Sequence, residues 1–237
     1  MKTVLVTGSS GLIGRRLSEI LSEKYNVVGI DIVDSDYTCD LTCEMDVVRL
    51  FKTLKVNSRN APMDVFALVN CVGIPDYPTD IRGGGISELS YELFRKHIDV
   101  NLCSVFLTMR EFAANFSETG KHIINISSMY SMSIPKTEMY EGKIKNPGYV
   151  ASKFGLVGMS QYFAVLTGGM GIRVNCVGPG CVDGSGVDSA FLARYKDKVP
   201  LGCTIDMEEV GRSVRHILET EKMTGQNVII DGGFTLV

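Results

Sequence analysis

The 237-residue chain carries 24 basic and 27 acidic side chains, a net charge of −3 and 45% hydrophobic residues. That length and composition suit one large α/β domain with a full core, and the lack of any basic block or tail argues against a nucleic-acid partner. The opening apolar run, Thr3 to Val6, is broken by glycine too soon for a signal peptide or a membrane span, so a cytoplasmic protein with no membrane partner is expected.

Lys2 to Thr7 is a short β-branched run with the length of a buried parallel strand. It leads into Gly8-Ser9-Ser10-Gly11-Leu12-Ile13-Gly14, after which Leu17, Ile20 and Leu21 recur at helical spacing over Arg15 to Glu23. Strand, glycine turn and helix in this order point to a dinucleotide site: glycines let backbone amides approach a pyrophosphate, and the helix N-terminus favours its charge. An ordinary tight turn is the alternative. The second strand, Asn26 to Ile32, ends in Asp31, whose carboxylate can accept both hydroxyls of an adenosine ribose and repels a 2′-phosphate. NAD(H) is therefore expected over NADP(H), with Arg15 and Arg16 as competing evidence because a guanidinium can hold that phosphate.

Tyr37 to Cys39 reads as a short strand ending at Asp40-Leu41-Thr42, followed by a helix over Glu44 to Leu54. Val65 to Asn70 is a strand covered on both faces and closes on Cys71-Val72-Gly73. Pro75, Pro78 and Gly83-Gly84-Gly85 mark a loop from Ile74 to Ile86 at its carboxyl end, where ligands bind in open α/β sheets. Ser87 to Phe116 reads as one long helix. Asn101 within its apolar stripe is either a satisfied core amide or part of a site. His122 to Ser127 is the next strand and leads to Ser128.

Asn146 and Pro147 form a helix start, as cap and first-turn residue, and place Tyr149 and Lys153 four apart on one face. An ammonium beside a phenol draws the phenol's pKa down from about 10 toward neutrality, as acid/base work on an alcohol or carbonyl requires. The pair alone is a weak motif, since an amphipathic helix with a surface tyrosine and lysine gives the same letters. Ile172 to Val177 and Asn227 to Asp231 give two more strands, and Met207 to Glu219 a helix. The seven cysteines lie mostly in apolar runs, which suits reduced thiols, and nothing completes a metal site with Cys39 and Cys43, so no metal is expected. No repeat or linker interrupts residues 1–237, and one domain is expected.

Together, TGSSGLIG, Asp31, DLT at 40–42, NCVG at 70–73, Asn101, ISS at 126–128, Tyr149-x-x-x-Lys153, VGPG at 177–180 and DGG at 231–233 resemble the short-chain dehydrogenase/reductase family over essentially the whole chain. The resemblance implies an NAD(P)-dependent oxidoreductase on a Rossmann-type, doubly wound α/β domain, with a seven-stranded parallel sheet in the order 3-2-1-4-5-6-7. It implies that Tyr149 is the general acid/base and that Lys153 lowers its pKa and binds the nicotinamide ribose. It further implies that Ser128, rather than Ser127, holds the reacting oxygen, and that Asn101 keeps a water beside Lys153. The implied cofactor cradle is Gly8, Ser10, Gly11, Leu12, Ile13 and Gly14 at the pyrophosphate, Asp31 at the ribose, and Asp40 and Leu41 at the adenine. Asn70, Val72, Gly73, Pro179, Gly180 and Val182 complete it along the rest of the dinucleotide.

Two features depart from the family pattern. The glycines follow TGxxGxxG, as in the extended branch of sugar-nucleotide epimerases and dehydratases. That leaves a transient use of NAD, or a non-catalytic dinucleotide-binding regulator, as alternatives to an oxidoreductase acting on a secondary alcohol or ketone. Length, VGPG and DGG fit the shorter reductases. Tyr149 follows Ser128 by 21 positions, more than is usual, so residues 129–147, with Tyr130, Tyr140, Lys136, Lys143 and Lys145, are expected to form a lid over the site. With Arg82, these lysines favour a polar small-molecule substrate, sugar-like or anionic, or are merely solvated. Residues 181–200 are expected to close over substrate. The apolar GGFTLV terminus is expected at the subunit interface of a homodimer or homotetramer, and His97, His122 and His216 as structural residues.

Overall fold

The computed structural model describes every residue except 61–62, 81–84 and 118–119, with the backbone alone at 58–60. Its strands are β1 (Lys2–Thr7), β2 (Asn26–Asp31), β3 (Tyr37–Thr38), β4 (Asp64–Asn70), β5 (Thr79–Asp80), β6 (Lys121–Ile126), β7 (Lys143–Ile144), β8 (Ile172–Pro179) and β9 (Asn227–Ile230). Seven of them form one parallel sheet in the order β3-β2-β1-β4-β6-β8-β9, while β5 and β7 pair antiparallel outside it. The expected strand order therefore holds.

Parallel neighbours require crossovers, and the crossovers cover both faces of the sheet with helices. On one face lie α2 (Glu44–Asn60), α4 (Ser104–Asn115) and α5 (Pro147–Gly168), burying Phe51, Leu54, Met109, Phe112 and Leu156 against Leu5, Leu68 and Ile123. On the other lie α1 (Leu12–Ser22) and α7 (Met207–Glu219), burying Leu17, Leu21, Val210, Val214 and Ile217 against Val4, Val6 and Ile124. Each such side chain fully withdrawn from water contributes roughly 1.5–3 kcal/mol. Two elements complete the fold, α3 (Tyr91–Ile98) and α6 (Ser189–Lys198). No helix among the described residues is long and apolar enough to cross a membrane.

β1 pairs with β2 on one side and β4 on the other, so chain order reverses there and the carboxyl ends of β1 and β4 open a crevice. The sheet is pinned at this point by side chains. The Asn70 carbonyl oxygen accepts from the Thr7 and Thr108 hydroxyls, both at 3.0 Å, and its amide donates to Asn125 at 2.8 Å. Leaving one of these buried groups unpaired would cost about 1–3 kcal/mol.

The helix expected over Ser87 to Phe116 is interrupted. A 3₁₀ turn at Gly85–Glu88 precedes it, Ser90 caps α3 by accepting from the Leu93 N–H, and a π-helical turn at Asp99–Cys103 joins α3 to α4. Asn101 sits in that turn, fully buried. Arg82, Gly83 and Gly84 lie outside the described residues.

The segment between Ser128 and Tyr149 is a small core of its own. Met129, Tyr130, Met139 and Tyr140 pack with Tyr195, Val199 and Phe234, and β7 ties the segment to the 74–80 loop through β5. Phe234 of the terminal GGFTLV is thus spent inside the chain, stacked on Tyr195 at 5.3 Å, whereas Leu236 and Val237 are exposed.

Candidate active site

At the crevice the chain turns from β1 into α1. Gly8 has a φ of +66°, and a Cβ there would fall 2.6 Å from the Val72 amide; one on Gly14 would fall 2.0 Å from the Gly8 carbonyl oxygen. Both glycines serve close backbone packing. Gly11 is different: it is the N-cap of α1, no side chain caps the helix, and a Cβ would meet only the Gly8 oxygen, at 3.3 Å. The first-turn amides of α1, at Leu12, Ile13 and Gly14, thus lack a side-chain acceptor, and a hollow of about 340 Å³ lined by Ser10, Gly11, Leu12, Arg15, Arg16 and Glu19 runs alongside this end of the helix. An uncapped, glycine-lined helix N-terminus fits a pyrophosphate.

Asp31, at the end of β2, reaches the same turn. Its carboxylate accepts from the Ser10 N–H at 2.9 Å and the Ile32 N–H at 2.7 Å, which fixes it at the end of β2 with further acceptor capacity. Of the two arginines that could favour a 2′-phosphate, Arg16 pairs with Glu19 and Glu208, whereas Arg15 stays at the turn and donates to the Ser10 carbonyl at 3.2 Å.

Other expected cofactor positions divide. Gly73 is exposed next to Asn101 and Lys153, and Val72 lies directly beneath Gly8. Gly180 packs on Tyr195 and Asp231 at the end of β8, after Pro179. The Asn70 side chain is consumed by the strand network, and the Leu41 and Val182 side chains are buried in the two main cores. Asp40 turns its carboxylate onto the Thr42 N–H and hydroxyl. These four side chains are held by the protein itself.

Tyr149, Lys153, Ser128 and Asn101 meet at the carboxyl ends of β4 and β6. Asn146 caps α5, accepting from the Gly148 N–H at 2.9 Å, with Pro147 in the first turn. Gly148 lets that turn sit directly on α3, since a Cβ would stand 2.6 Å from the Phe94 carbonyl oxygen. The half-buried Tyr149 phenol lies beside the Ser128 hydroxyl, which holds its pKa down in part and accepts from the Tyr130 N–H at 3.1 Å. Ser127 instead donates to Asn227 at 2.9 Å. Asn101 brackets Ile74, accepting its N–H at 2.7 Å and donating to its carbonyl at 3.2 Å.

The electrostatics differ from the sequence expectation. Lys153 is buried, donates to the Ile126 carbonyl at 3.0 Å, and stands 5.9 Å from the centre of the Tyr149 ring. Burial pushes its pKa down to about 8. Tyr149 is moved upward from the ordinary tyrosine value of 10 because burial penalises the phenolate; Ser128 offsets this in part and the Asp76 carboxylate adds to it. An ammonium that spends its hydrogen bond on a backbone carbonyl does not overcome the desolvation of the phenol.

The profile described as enoyl-(acyl carrier protein) reductase, a member of the short-chain dehydrogenase/reductase group, matches residues 15–235. The chain belongs to the short-chain dehydrogenase/reductase family. An uncharacterized oxidoreductase of Schizosaccharomyces pombe is 30% identical to it, over 98% of this chain and 90% of that one. A short-chain dehydrogenase from Leptospira borgpetersenii, solved with bound NAD+, superposes with a TM-score of 0.85 at 29% identity, covering 99% of this chain and 92% of the other. A 4-hydroxyisoleucine dehydrogenase complexed with NADH gives 0.82 at 25% identity, with full coverage of both. This short-chain dehydrogenase/reductase is therefore an oxidoreductase of a family that uses NAD(P).

Three neighbours of Tyr149 escaped the sequence reading. Asp76, buried, receives the Asn146 N–H on Oδ2 at 2.8 Å and faces His97 Nε2 with Oδ1 at 3.2 Å. His97, fully buried, meets the Tyr149 ring edge-on at 5.6 Å. Gly148 carried a signal, a glycine immediately before the tyrosine in a helix first turn; Asp76 and His97 carried none.

Proposed function

We propose that this enzyme moves a hydride between NAD(H) and a secondary alcohol or ketone of a small polar metabolite, with Tyr149 as general acid/base. The observation that carries the reading is the gathering of Tyr149, Ser128, Lys153 and Asn101 at the carboxyl ends of β4 and β6, on the same edge of the sheet as the uncapped N-terminus of α1. The bound nicotinamide would supply or accept the hydride. In reduction, Tyr149 gives its proton to the carbonyl oxygen, and Ser128 donates a second hydrogen bond to the same oxygen and steadies its developing charge. A phenol raised above its ordinary pKa is protonated at neutral pH, which suits a proton donor. Oxidation reverses the transfer, with Tyr149 as acceptor. Lys153 and Asn101, both beside Gly73, would hold the floor on which the nicotinamide ribose rests.

NAD(H) over NADP(H) is supported by the Asp31 carboxylate and by the pairing of Arg16 with Glu19 and Glu208. A hydroxylated, polar substrate is supported by the likeness to a 4-hydroxyisoleucine dehydrogenase. A homo-oligomer is supported by the exposed apolar face of α5, with Phe154, Tyr162, Val165 and Leu166. Calorimetry with NADH and NADPH, followed by a screen of hydroxylated metabolites for NADH formation, tests the reading. NADH is expected to bind at least tenfold tighter than NADPH, and turnover without net NADH change would point instead to an epimerase or dehydratase.

A further inference from the structure

Of the three lysines between Ser128 and Tyr149, one turns toward the site. Lys136 binds the Val237 carbonyl at the surface, and Lys143 is exposed on β7. Lys145 is half-buried: its ammonium donates to the Asp76 carbonyl at 2.8 Å and stands 5.1 Å from the Tyr149 ring centre, 5.6 Å from Tyr140 and 5.9 Å from Tyr130. Tyr130 and Tyr140 join their hydroxyls to each other at 2.6 Å, so they offer Lys145 ring faces and no acceptor. The nearby Asp76 carboxylate favours the Lys145 charge but makes no hydrogen bond to it, facing His97 with one oxygen and accepting the Asn146 N–H on the other. Among the described residues, none forms an ion pair with Lys145.

An ammonium has three N–H donors, and the protein uses one of them here. A partly desolvated cation with donors to spare, held beside the proposed acid/base, calls for an anion from outside the chain. We propose that Lys145 is the specificity-determining residue of this enzyme, and that it binds the carboxylate of a small hydroxy acid or keto acid whose reacting carbon lies at Tyr149. The inference rests on the dehydrogenase reading and narrows its substrate class. One cation matches a monoanion, whereas a phosphate dianion would need more positive charge than Lys145 alone supplies. The 5.1 Å between ammonium and Tyr149 ring keeps the carboxylate and the reacting carbon only a few atoms apart.

The test is a ligand-observed magnetic-resonance titration of the NADH-saturated enzyme with 3-hydroxybutanoate and with 3-hydroxybutanamide. The wild type is expected to bind the acid about tenfold tighter or more than the amide. Lys145→Met is expected to abolish that preference and Lys145→Arg to restore it, while NADH affinity stays within about twofold; Lys145→Gln serves as a second neutral variant. A strut with no role in recognition would weaken both ligands equally and leave the ratio unchanged. Equal binding in the wild type, binding of neither ligand, a preference that survives in both neutral variants, or stronger displacement of the acid by phosphate than by acetate would each overturn the assignment. NADH binding without the preference sinks this inference alone, whereas loss of NADH binding by the wild type sinks the dehydrogenase reading with it.

Discussion

The two halves of the crevice are built differently. The α1 half is built around one stretch from β1 to β2, and its recognition groups are backbone amides plus one carboxylate, set by glycines that pack on backbone, Gly14 on Gly8 and Gly8 on Val72 just after β4. The Tyr149 half draws on residues 74–76, 97, 101, 128–149 and 181–195, and its groups are side chains held by long-range contacts such as Asp76 with Asn146 and Tyr195 with Phe234. A local, backbone-made half tolerates variation elsewhere in the chain. A half assembled from distant segments can be retuned one side chain at a time, which suits a region that selects substrates.

The sharpest way to break this contrast is at Gly14. Gly14→Val would drive a Cβ into the Gly8 carbonyl, and NADH affinity should fall by at least about 100-fold, read by calorimetry. Gly11→Ala, with a far looser surrounding, should cost much less; equal losses would mean that the turn does not work as described. In the other half, Gly148→Val pushes α5 off the Phe94 carbonyl and should lower turnover by about 100-fold while NADH binding changes by less than about fivefold. Parallel losses of binding and turnover would erase the distinction between the halves.

A smaller effect belongs to the opposite end of β6. His122 is buried against Phe66 and accepts from the Arg173 guanidinium at 2.5 Å, and burial beside that cation pushes its pKa down to about 3. The folded chain refuses a proton that the unfolded chain accepts below pH 6.5. Stability is therefore full above that pH and declines as pH falls toward 3, by roughly 2–4 kcal/mol. Denaturant melts across this range should show the decline, and His122→Gln should flatten it without altering turnover at neutral pH.

The same contrast explains what could be read in the letters. Strand order, the bounds of α7, the glycine turn and the position of Asp31 follow from local periodicity and from residues that act within a few positions of themselves. The break in the 87–116 helix did not, because the Asn101 turn is held by Ile74, distant in sequence. Nor did the direction of the Tyr149 shift: spacing puts a lysine on the same face, but burial and the Ile126 carbonyl decide what that lysine does. Lys145 and Lys136 look alike in sequence; Asp76 and the C-terminus separate them. Phe234 was expected at a subunit interface and is instead buried against Tyr195 and Tyr130, two aromatics that no periodic pattern links to it.

The central claim is that the Tyr149 hydroxyl carries the proton while the rest of the crevice binds the dinucleotide. One preparation of Tyr149→Phe, titrated with NADH and then assayed for turnover, tests it most directly. NADH affinity should stay within about twofold of wild type and turnover should fall roughly 1000-fold. Turnover within tenfold of wild type in that preparation would contradict the account.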